Sequence, residues 1–176
     1  MEFVPEEGKH LHEDCSTLIL PALSIGNVGQ LVADLLISSM GSERVGYLDD
    51  PNVLPCVGND AYGPFPQGDL ALPLEAYDSL SNALTIIQQR SPVVKGMMIE
   101  FAKNMADFLK AKGLKVTCLL CYCSEGDNIS DAFQLGDAVC KLLQLNHPIT
   151  GIESGKWRVP LSWMTVYGPP LDVSIF

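Results

Sequence analysis

Long apolar runs are missing from this chain. No stretch approaches the ~18 uninterrupted apolar residues that a membrane-spanning helix needs. Basic residues are scarce as well: 11 Lys and Arg stand against 21 Asp and Glu in 176 residues, a formal charge of −10. Phosphate backbones would be repelled over most of such a surface, which argues against nucleic acid and for protein partners with basic patches. Histidine is limited to His10, His12 and His147, and the pattern Gly-x-Ser-x-Gly is absent. Neither a hydrolase elbow nor a histidine-based triad is therefore spelled out. The opening Met1-Glu2-Phe3-Val4-Pro5-Glu6-Glu7 is acidic where an export signal is basic and then apolar. The expected location is the cytoplasm or the nucleus.

Complete metal-ligand sets are lacking too. Six cysteines in a chain without an export signal are expected to be free and mostly buried thiols. Cys118-x2-Cys121-x-Cys123 has no second pair at zinc spacing, and His10-x-His12 with Cys15 is equally incomplete. Neither a metal nor a cofactor is expected.

What is present reads as one α/β domain. At this length roughly 68–70% of the unfolded surface can be buried. Residues 1–14 are polar and read as a loose lead-in, 15–168 as the domain, and 169–176 as a carboxy-terminal tail. Ser16 to Leu23 has the composition of a buried strand. Ser24-Ile25-Gly26-Asn27-Val28-Gly29 reads as a turn, with Gly26, Asn27 and Gly29 as its structural residues. Leu31, Val32, Leu35 and Leu36 then recur at helical spacing up to Gly41, and Arg44 to Leu48 is a second strand. This strand–helix–strand order implies a parallel pair. Asp49 to Gly68 holds four prolines and three glycines and must be largely loop.

Leu70 to Tyr77 and Ala83 to Gln89 read as a hairpin around Asp78 to Asn82. From Pro92, the residues Val94, Met98, Phe101, Met105 and Phe108 form a helical stripe that Gly113 ends. Lys115 to Cys123 reads as a further strand. A third helix follows, with Ile129, Ala132, Phe133, Gly136, Val139, Cys140 and Leu143 on one face and Asp127 or Asn128 as its cap. Glu125 and Asp127 serve capping and the helix dipole more simply than acid catalysis. Trp157 and Trp163, flanking Pro160, read as packing anchors.

The most enzyme-like feature is the strand–Gly26-x-x-Gly29–helix turn with Asp49 and Asp50 some twenty residues on. That is the layout of a dinucleotide site, although Ser24 stands where the first glycine belongs. A two-glycine turn before a helix also arises for steric reasons alone.

Several blocks resemble the proteasome assembly chaperone family: Leu20-Pro21-Ala22-Leu23-Ser24-Ile25-Gly26-Asn27-Val28-Gly29, Val57-Gly58-Asn59-Asp60-Ala61-Tyr62, Ser124-Glu125-Gly126-Asp127-Asn128-Ile129 and Trp157-Arg158-Val159-Pro160. The resemblance implies a three-layer α/β/α sandwich around a mixed, mostly parallel sheet. Members of the family are longer, and the portion missing here falls near 118–119, so some of the family's strands would be absent. The resemblance further implies a chaperone without catalytic chemistry, paired with a related chaperone on the α-ring of the 20S proteasome. Its tail, Val173, Ser174, Ile175 and Phe176, would enter a pocket between α-subunits. Related tails carry a tyrosine where Ile175 stands, so that hydroxyl contact is lost here. Two alternatives remain: a nucleotide-binding enzyme built on Gly26 and Gly29, and a truncated product that no longer pairs.

Overall fold

The computed structural model describes residues 1–63, 70–111, 117–145 and 157–163. Five strands form one sheet: β1 (Glu2–Pro5), β2 (Thr17–Ile19), β3 (Glu43–Asp49), β4 (Leu74–Ser79) and β5 (Leu84–Gln89). Their order across the sheet is β1-β3-β4-β5-β2. Helix α1 (Val28–Met40) follows β2, α2 (Met98–Ala111) follows β5, and α3 (Ile129–Leu143) follows α2.

Local chemistry explains most of these limits. Helix α1 stops where Gly41 turns into the left-handed region (φ +58°) and its amide closes on the Ile37 carbonyl. A turn of 3-10 helix at Leu80–Asn82 joins β4 to β5, and every residue of both strands is buried. Alternation then sends Tyr77 and Ile86 to one face and Ala76 and Ile87 to the other. On the first face Val32, Leu35 and Leu36 of α1 pack with Ala132, Val139 and Cys140 of α3. On the second face Phe101 and Met105 of α2 cover Val45, Leu48, Leu74 and Ile87. Helices on both sides of a mixed sheet make three layers, as expected for an α/β chain.

Strand direction is where the expectation needs correcting. Among the described strands only β2 and β5 pair in parallel; β1–β3, β3–β4 and β4–β5 are antiparallel. The sheet is mixed but mostly antiparallel. β2 and β3 do run in the same direction across α1. The β4–β5 hairpin lies between them, so the expected parallel neighbours are separated.

Other boundaries shift as well. Residues 2–5, expected within a loose lead-in, form edge strand β1. Their register runs from Glu2 opposite Asp49 to Pro5 opposite Gly46. Proline ends an edge strand without leaving a ladder acceptor unpaired. β2 is shorter than the expected Ser16–Leu23, since Pro21 has no amide to add to a ladder. Helix α2 begins at Met98 and not near Pro92. Val93 bridges to Val53, and Gly96 sits at φ +84°, holding the preceding residues out of helix. The end expected at Gly113 lies outside the described residues.

Thr117 to Cys123, expected within a strand, joins no ladder, and every residue from Thr117 to Tyr122 is exposed. Strand preference is realised only against a paired neighbour. The six cysteines are free, as expected, but only Cys140 is buried; Cys56, Cys118 and Cys121 are exposed. The strand pattern around Cys118 to Cys123 suggested burial that its position outside the sheet does not provide.

Candidate functional site

The Gly26 turn is a joint between two helix starts. Gly26 lies at φ +69° and Asn27 at φ +50°, both in the left-handed region. A Cβ on Gly26 would collide with Asn128 Oδ1. Asn128, 3% exposed, therefore rests directly on the glycine. Its Nδ2 donates to the Ser124 carbonyl and to Asp131 Oδ2, each at 2.9 Å. Asn128 is the N-cap residue of α3 but its side chain makes no capping bond; the Ile129 amide donates instead to Asp127 Oδ1 at 3.1 Å. Gly29 admits Pro21, whose Cβ would lie 3.3 Å from an added methyl. Both glycines are explained by close approach. The space a phosphate would use above Gly26 is filled by Asn128. Asp50, the candidate ribose acid, is buried and accepts from the Asn52 amide (2.9 Å) and Asn104 Nδ2 (2.8 Å). It ties the loop after β3 to α2.

A buried polar network lies at the sheet end of α1. Asp34 accepts from Gln88 Nε2 at 2.6 Å, Arg90 Nη2 at 3.0 Å, Tyr62 Oη at 2.5 Å and Trp163 Nε1 at 3.2 Å. Arg90 also donates through Nε to Glu75 Oε2 at 2.8 Å, and Glu75 Oε1 accepts from Arg44 Nη1 at 3.0 Å. Arg44 in turn pairs with Glu6. Burial works against the Arg90 charge, but Tyr62, Asp34 and Glu75 outweigh it and hold its pKa above the ordinary arginine value. Burial and the Asp34 charge push the Tyr62 phenol well above its ordinary value, so it stays a donor. A buried charge cluster of this kind is tolerable only because each member is paired.

This network anchors the segment that precedes the tail. Trp163 is 5% exposed, and the neighbouring Ser162 amide donates to the Ala61 carbonyl at 3.2 Å. Upstream, the Arg158 amide donates to Ser39 Oγ at 2.9 Å, and Trp157 Nε1 donates to Asp137 Oδ1 at 3.0 Å. The Trp157 ring lies close enough to α3 that a methyl on Gly136 would come within 2.9 Å of it. Both tryptophans are packing anchors, as expected. Trp157 to Trp163 thus forms a clasp across α3, α1 and the Ala61 loop. Among the described residues no three His, Cys, Asp or Glu side chains converge in a way that could hold a metal ion, and no helix is long and apolar enough to cross a membrane.

Residues 18–143 match the PAC2 family. The chain belongs to the PAC2 family. Proteasome assembly chaperone 2 of Nematostella vectensis is 43% identical over 122 residues, covering 67% of this chain and 50% of that protein. This chain therefore spans about half the length of that relative. Proteasome assembly chaperone 2 of Xenopus laevis is 27% identical over 260 aligned residues, covering 99% of this chain and all of that protein. The second alignment is longer than the chain, so that PAC2 relative carries residues this one lacks. Among solved structures, Pyrococcus furiosus PbaA, an archaeal homolog of proteasome-assembly chaperone, aligns at a TM-score of 0.49 and 16% identity. That alignment covers 74% of this chain and 81% of PbaA.

Of the residues singled out in the sequence, Gly26 and Asn27 lie in the left-handed turn before α1, and Gly29 lies inside α1. Val173, Ser174, Ile175 and Phe176 lie outside the described residues. The Asp34 network was not anticipated. Its signal was available, since Gln30 and Asp34 interrupt an apolar helical stripe at i, i+4 and Glu75 and Gln88 interrupt two apolar strands.

Proposed function

We propose that this chain assists assembly of the 20S proteasome without making or breaking bonds of its own. In this reading it pairs with a related chaperone and contacts α-subunits through its surface and its tail, Val173-Ser174-Ile175-Phe176, in the cytoplasm or nucleus. The observation that carries the proposal is PAC2 membership together with relatives named proteasome assembly chaperone 2 that align over 99% of the chain. The clasp supports it from a second side. Trp157 to Trp163, the last described segment before the tail in sequence, is held to the body of the domain by its contacts with α1, α3 and the Ala61 loop. In this reading the segment missing relative to longer members falls near 118–119, where two family strands would meet.

The test is capture of purified α-ring intermediates by the full chain and by a variant ending at Asp172. Removing Val173 to Phe176 is expected to weaken capture by about tenfold, equivalent to about 1.4 kcal/mol. Unchanged capture would remove the tail from the proposal. Failure of the full chain to capture the ring, alone or with a related chaperone, would remove the proposal altogether.

A further inference from the structure

Outside the turn, the network and the clasp, one surface stands apart. Leu120 is 83% and Tyr122 100% exposed, and Ile25, 60% exposed, meets the same segment at Cys123. Cys123 Sγ sits 3.4 Å from the Ile25 carbonyl oxygen, which brings the two segments together. Thr117 to Tyr122 is exposed throughout and makes no ladder with any described strand. Among the described residues no backbone hydrogen bond ties it to another segment, which lets a strand from outside add to it.

Immediately next to this run is an open depression of about 450 Å³, lined by Tyr122 to Asn128 and Asp131. It holds three carboxylates, Glu125, Asp127 and Asp131, and none is in a salt bridge among the described residues. Asp127 and Asp131 accept hydrogen bonds from their own turn, from the Ile129 amide and from Asn128 Nδ2, and these leave their charge uncompensated. Apolar side chains without cover and carboxylates without cations therefore share one site.

We propose that Ile25, Leu120 and Tyr122, with Glu125 and Asp127, form a docking surface for an extended protein segment in which apolar residues alternate with lysine or arginine. The segment would add to Thr117–Tyr122 as a strand. Its apolar side chains would cover Leu120, Tyr122 and Ile25, and a basic side chain would enter the depression. Charge complementarity selects this occupant. A second copy of the chain would bring a net charge of −10 against the same carboxylates. The surface uses none of Val173 to Phe176, so the two ideas stand or fall independently.

The probe is a short fluorescent peptide of alternating leucine and lysine, with a leucine–glutamate peptide as its counterpart. Anisotropy is measured at physiological salt on the full chain. Two double variants test the two halves of the surface: Leu120→Ser with Tyr122→Ser, and Glu125→Gln with Asp127→Asn. Each is expected to weaken binding of the lysine peptide by about tenfold. Glu2→Gln with Glu7→Gln, distant exposed carboxylates, should change it by no more than about twofold, since isolated surface charges contribute little. Equal weakening by that distant pair would reduce the effect to bulk charge and overturn the proposal. So would comparable binding of the glutamate peptide. Sedimentation showing a dimer that Leu120→Ser with Tyr122→Ser abolishes would overturn it in favour of a second copy.

Discussion

Asp34 is the side chain on which most of the described chain converges. It sits 6% exposed on an otherwise apolar stretch of α1 and receives donors from β5, the residue after β5, the Ala61 loop and the clasp. Such a group adds little net stability compared with a well-packed apolar replacement, but removing one partner strands the others. Asp34→Ala is expected to lower the unfolding free energy by about 3 kcal/mol, read from the urea midpoint at constant slope. A loss near zero would mean the four donors find water or each other. Gly26 illustrates the opposite logic. There a missing side chain matters, because the Asn128 carboxamide takes the place a methyl would occupy and the backbone is left-handed.

Helix α3 and the clasp depend on each other where Trp157 meets Gly136 and Asp137. Gly136 stands in the middle of α3, where alanine would raise intrinsic helix stability by about 1 kcal/mol. The Trp157 ring occupies the space the added methyl would need. Gly136→Ala is therefore expected to lift Trp157 off the helix and break its bond to Asp137. The tryptophan emission should shift to the red, and a protease should cleave near Arg158 faster. If the emission is unchanged, the ring does not depend on the glycine. The hairpin β4–β5 shows the same interdependence in the sheet. Its turn and alternation are local, while its position between β2 and β3 is set by what packs above and below it.

At the scale of the molecule, the described residues form a three-layer unit with a core on each face of one sheet. Cys140 reports on the first of them: it is 1% exposed, and burial together with the Asp137 charge pushes its thiol up to about 11. Cys56, Cys118 and Cys121 are exposed on the outside. In the folded chain a thiol reagent is expected to modify those three rapidly and Cys140 only on unfolding. If the layers unfold together, the denaturant dependence of Cys140 labelling should coincide with that of the circular dichroism signal. Labelling of Cys140 well below the main transition would show that α3 opens by itself, and with it the mounting of the tail.

Local rules were sufficient for α1, α3 and the hairpin. Apolar periodicity, the glycine after Met40 and the acidic cap before Ile129 act over a few residues and are written in the chain. The family blocks were equally legible, because they are contiguous. Strand direction, the pairing of Glu2–Pro5 with β3, and the failure of Thr117–Tyr122 to join the sheet were not. Each depends on which distant segment offers a free edge, a property no window of sequence contains. The Asp34 network lay in between: its polar residues were conspicuous among apolar neighbours, but their meeting required α1, β4, β5 and the clasp to be folded onto one another. Short-range sterics are encoded residue by residue, whereas long-range pairing is chosen by the free energy of the assembled core.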